Sequence, residues 1–114
     1  MNIKDVLLKA VSAVPNWHYV TEKIRGNTIM SLTQKIIAAL YQLSEEGYTT
    51  EQPKLIEKIM DIAELHSELP EDTFRAIRSR LPNMVPLLEK LGVQFTVGRG
   101  DWGICSVRMV KNVH

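Results

Sequence analysis

Cysteine is almost absent from this chain: Cys105 stands alone, so no intramolecular disulfide can form and the fold must rest on its core. Apolar runs are short, and none approaches the roughly 18 residues that a membrane-spanning helix requires. No apolar stretch ahead of a small-residue cleavage site marks a secretory leader, and the expected compartment is the cytoplasm. Histidine is sparse too. His18, His66 and His114 are far apart, and none has a second histidine, cysteine or acid at a recognised ligand spacing, which argues against zinc or any other metal. There is no nucleophile elbow, phosphate-binding glycine loop with its lysine and serine, or dinucleotide fingerprint. The expectation is a protein that is not an enzyme and has no cofactor. Glu45, Glu46, Glu57, Asp61, Glu64 and Glu68 lie on acid-rich helical patterns and read as a solvated face rather than as general acids or bases.

What is present is enough for one core. With 114 residues, 45% hydrophobic and 24% charged, the chain falls in the range of a single ordered domain. Its net charge of +1 conceals a division. From Arg75 to the end there are seven Lys and Arg against two acids, whereas the first 74 residues hold seven against eleven. The C-terminal part is therefore electropositive by five charges and the rest electronegative by four, a distribution suited to meeting a polyanion with one side only.

The hydrophobic pattern divides the chain into an N-terminal helix and arm, residues 1–30, and a larger unit, 31–114. Ile3, Val6, Leu7, Ala10 and Val11 recur at helical spacing, and Trp17 to Val20 with Glu22 to Ile29 could pair as a small hairpin or form an irregular arm. In the larger unit, Ser31 and Gln34 form a capping box ahead of the stripe Leu32, Ile36, Ile37, Leu40 and Leu43, and Gly47 stops the helix after Glu46. Thr49 or Thr50 caps a second helix that tolerates Pro53 in its first turn and turns Leu55, Ile56, Ile59, Met60, Ile62, Ala63 and Leu65 inward. The third region opens at Leu69-Pro70-Glu71-Asp72 and carries Phe74, Ile77, Leu81, Val85, Leu88 and Leu91 in one phase through Pro82 and Pro86. That phase predicts a kinked helix or two abutting helices, closed by Gly92. Two alternating strands follow, with Val93, Phe95 and Val97 inward on the first and Cys105, Val107 and Met109 on the second. In such a strand Cys105 is a small buried hydrophobe.

These elements predict an α+β, mainly helical protein of winged helix-turn-helix type, with three core helices, a C-terminal β-hairpin wing and an N-terminal helical extension. Advancing 100° per residue sets Arg75, Ser79, Asn83 and Pro86 opposite the apolar stripe, with Arg78 and Arg80 on its shoulders. These are donors of the kind that contact phosphates and guanine edges in a major groove. Between the strands, Gly98-Arg99-Gly100-Asp101-Trp102-Gly103 projects Arg99 and Trp102, and Arg108 and Lys111 follow on the return strand. The candidate nucleic-acid-binding set is Arg75, Arg78, Ser79, Arg80, Asn83, Arg99, Trp102, Arg108 and Lys111. Trp102 could fold back on the hairpin, stack on a sugar or base, or anchor a protein partner; for Trp17 and Tyr19 folding into the core is favoured. Arg99-Gly100-Asp101 matches the integrin-binding tripeptide, which in this setting reads as chance.

The run from Arg78-Ser79-Arg80-Leu81-Pro82-Asn83 through Leu91-Gly92-Val93, followed by Gly98-Arg99-Gly100, resembles winged-helix domains attached to phage and plasmid replication proteins. The resemblance covers about the last forty residues and implies nucleic-acid binding by the helix and the glycine loop. Asp101 and Trp102 stand where further basic residues would be more typical. The expected role is a DNA-binding regulator or replication accessory factor of phage or plasmid type, acting on double-stranded DNA, with residues 1–30 available to form a homodimer. The competing expectation is a protein-interaction module that docks a larger protein, such as a polymerase or a host defence complex, without touching DNA; a purely structural subunit is the third.

Overall fold

The computed structural model describes residues 32–65 and 69–110. Over these residues the chain is α+β and mainly helical. The order is α1 (Leu32–Ser44), β1 (Tyr48–Glu51), α2 (Gln52–Ile62), α3 (Pro70–Lys90), β2 (Val93–Thr96) and β3 (Ile104–Met109). The strands form one antiparallel sheet in the order β1-β3-β2, so β3, last in the chain, lies in the middle. The expected N-terminal helix and arm, Ser31 of the capping box, the three histidines and Lys111 lie outside the described residues.

Helix α1 is the hub. Ile36 through Tyr41 are buried without interruption, more than the one-sided stripe predicted, because α1 packs against α2, α3 and β3. Gly47 follows it with φ +81°, a backbone state that glycine enters without a Cβ penalty. The chain then departs from expectation, since Tyr48–Glu51 form a strand and neither Thr49 nor Thr50 caps α2. The residue before α2 is Glu51, whose side chain makes no capping bond. The first amide of α2, on Gln52, instead donates to the carbonyl of Gly103 at 2.9 Å, so a residue 51 positions away satisfies a donor that a local cap usually takes.

Helix α2 turns Leu55, Ile56 and Ile59 fully inward. It ends without glycine. The Leu65 amide donates to the Met60 carbonyl and the Glu64 amide to that of Asp61, the crossed pair of a Schellman motif, and Glu64 takes the left-handed position with φ +54°.

Helix α3 is a single helix of 21 residues that runs through Pro82 and Pro86. The expected alternative of two abutting helices is not what forms. Each interior proline costs roughly 3 kcal/mol, whereas burying an aliphatic side chain contributes about 1.5–3 kcal/mol. Ile77, Leu81, Met84 and Leu88 are all buried on one face, enough to outweigh the two prolines. Both prolines are exposed, so water can reach the carbonyls that their missing amides leave open. Phe74 and Val85, expected on the stripe, are only partly buried at its flanks.

The alternation in the hairpin holds for Val93, Phe95, Cys105 and Val107, which are buried and pack with α1 and α3. Val97 lies beyond the end of β2 and is half-buried, and Met109, expected in the core, is 38% exposed at the end of the sheet. Register pairs Tyr48 with Val107 and Thr50 with Cys105, so these two β1 residues share the core side of the sheet while Thr49 lies with Ser106 on the other. The Val110 amide closes the base of the hairpin on the Gly92 carbonyl at 2.9 Å.

Candidate nucleic-acid interface

The exposed face of α3 is where helical spacing puts it. Arg75, Ser79, Asn83 and Pro86 are exposed, and Arg78 and Arg80 are intermediate on either shoulder. Four-residue steps bring Arg75, Ser79 and Asn83 into one row above the buried row of Ile77, Leu81, Met84 and Leu88. The Ser79 hydroxyl donates to the Ala76 carbonyl at 2.9 Å, which leaves its lone pairs free and its hydrogen engaged. At the helix start, Glu71 and Asp72 are exposed acids suited to the positive end of the dipole. The row of donors therefore begins one turn in, at Arg75.

The loop between β2 and β3 meets this face at Arg78. Its guanidinium lies 3.5 Å from the carboxylate of Asp101 and 6.0 Å from the centre of the Phe74 ring, so one arginine is held by a carboxylate and an aromatic face together. Beside it, Glu57, Met60, Pro70, Glu71, Phe74, Arg75 and Arg78 line an open cleft of about 460 Å³ between α2 and α3. Its charges are mixed, two glutamates facing two arginines.

The loop itself is pinned by backbone. A Cβ on Gly98 would sit 2.5 Å from the Ile104 nitrogen, and one on Gly103 would overlap the backbone of Gly98 and Arg99. Only glycine at both positions lets the two arms come this close. The Gly103 amide donates to the Gly100 carbonyl at 3.3 Å, and the Gly103 carbonyl accepts from Gln52. On this support Arg99, Asp101 and Trp102 are all exposed, the indole at 72%.

Arg108 is placed apart from the others. It pairs in register with Gln94 and donates from Nε to the Gln94 Oε1 at 2.9 Å, on the sheet face away from Cys105 and Val107 and at the end of β3 remote from the loop. Thus Arg75, Ser79 and Asn83 share one face of α3, Arg78 joins that helix to the loop that carries Arg99 and Trp102, and Arg108 belongs to neither group. The Asp101 contact was not legible in the sequence, because the residues it joins are separated by 23 positions and no local pattern links them. The acids of the first half, Glu45, Glu46, Glu57, Asp61 and Glu64, are exposed. Cys105 is buried.

Among the described residues no group of His, Cys, Asp or Glu is arranged to hold a metal ion, and no helix is long and apolar enough to cross a membrane. The chain matches no protein-family model, and no curated protein or solved structure is significantly similar to it.

Proposed function

We propose that this protein is a winged-helix DNA-binding module, with α3 as the helix that enters the major groove and the β2–β3 loop as the wing. The observation that carries the reading is the Arg78–Asp101 contact, which joins the exposed Arg75-Ser79-Asn83 row of α3 to the loop bearing Arg99. The order of elements supports it: helix, strand, two helices and a hairpin, with the sheet arranged β1-β3-β2. That arrangement returns the chain from the end of α3 along the same helix, so the loop arrives at Arg78, beside the Arg75-Ser79-Asn83 row, rather than at the far end of the molecule.

In this mode Arg75 and Asn83 offer donors to base edges and Arg78 and Arg80 contact phosphates on either side, while Ser79 accepts or, after rotation, donates. Arg99 holds the flanking backbone from the wing. Arg108 acts at the periphery. The binding is largely electrostatic and weakens as salt rises. A regulator or replication accessory factor of phage or plasmid type is the role such a module fits. Fluorescence anisotropy of a labelled random-sequence duplex, titrated from low to physiological salt, tests the reading directly. Binding in the micromolar range with a steep salt slope, weakened by Arg75→Ala, is the expected result; absence of binding at low salt overturns it.

A further inference from the structure

Trp102 is the largest exposed apolar side chain of the described residues, at 72%, on a loop whose stem is held by the Gly98–Ile104 approach and the Gln52–Gly103 bond. On that stem Trp102 stands exposed to water.

An indole face offers stacking, and paired bases inside a duplex offer no free face. They show only their edges to the grooves, and their π-surfaces are covered by neighbouring base pairs. An unpaired base has both faces free, and stacking on an aromatic side chain tolerates any sequence. The tip also stands beside Arg78, at the edge of the row that would face a duplex. We propose that Trp102 is a stacking platform for an unpaired base next to a duplex, so that the preferred ligand is DNA at a junction of double and single strand. This rests on the DNA-binding reading above and narrows its substrate class.

The test uses the full chain and three labelled two-strand DNA duplexes: one blunt, one with a short single-stranded tail, and one whose tail has the same phosphates but abasic sugars. Equal charge in the two tails separates stacking from electrostatics. The expected result is that the tail with bases binds about tenfold more tightly than the abasic tail. Trp102→Ala should abolish that difference between the two tails, whatever its affinity for the blunt duplex, and Trp102→Phe should keep part of it. Because the indole is so exposed, both variants should retain the parent melting temperature. Equal affinity of the parent protein for the two tails overturns the proposal and turns the indole towards a protein partner. Failure to bind any of the three overturns the DNA-binding reading as well.

Discussion

Arg78 on α3 and Asp101 on the β2–β3 loop stand 3.5 Å apart, with side chains 39% and 73% exposed. The pair joins the two elements proposed to share one DNA, and it also places a carboxylate on an arginine that a phosphate would use. An ion pair this exposed is worth no more than about 1 kcal/mol, so it positions Arg78 without locking it, and a phosphate can displace the carboxylate.

The Asp101→Asn variant should therefore bind duplex DNA about two- to fivefold more tightly at low salt, the factor that roughly 1 kcal/mol allows. The gain should shrink as salt screens the charges. Thermal stability should stay within about 1 kcal/mol of the parent. An unchanged or lower affinity in anisotropy titrations would show that Asp101 does not compete for Arg78.

Arg99 and Arg108 are both exposed cations of the hairpin, yet only Arg99 lies at the loop. Arg99→Ala should lower the slope of log affinity against log salt by about one unit. Arg108→Ala, at the remote end of β3 and bonded to Gln94, should lower it less. Equal slopes for the two variants would mean that the DNA covers the sheet as well as the loop.

Gly98→Ala should destabilise the hairpin. The added Cβ would lie 2.5 Å from the Ile104 nitrogen and 2.6 Å from its oxygen, and backbone cannot swing aside as a flexible side chain can. A loss of about 2 kcal/mol or more in urea unfolding is expected. A midpoint equal to that of the parent would contradict the pinched geometry of the stem.

Glu64 occupies the left-handed position that glycine usually takes at the end of a helix, and its charge sits at the negative end of the α2 dipole. Glu64→Gly should stabilise the protein by about 1 kcal/mol, the cost of a Cβ in this conformation less the entropy of a freer unfolded chain. Thermal melting checks this, and a lowered midpoint would show that the Glu64 side chain earns its place by a contact.

The apolar period located α1, α2 and α3, and the same period identified Arg75, Ser79 and Asn83 as the exposed row, because a helix fixes both faces once one is known. Gly47 and Gly92 marked turns in the same way, as local requirements of φ that few residues meet. The alternation of Val93, Phe95, Cys105 and Val107 was equally local. Strand β1 was not legible. Tyr48 to Glu51 is too short to show a period, its two threonines suit a helix cap as readily as a strand, and its partner β3 lies more than fifty residues on.

Sequence by itself thus determined which residues are apolar and at what spacing, and through that the helices, the hairpin and the division of charge, all of which depend on neighbours within a few residues. Tertiary structure decided the rest. Packing of four aliphatic side chains kept α3 whole through two prolines, β3 took β1 as a third strand, Gly103 capped α2, and Asp101 came to rest on Arg78. Each of these joins residues distant in the chain or weighs burial against local propensity, and that balance is set only when the core closes.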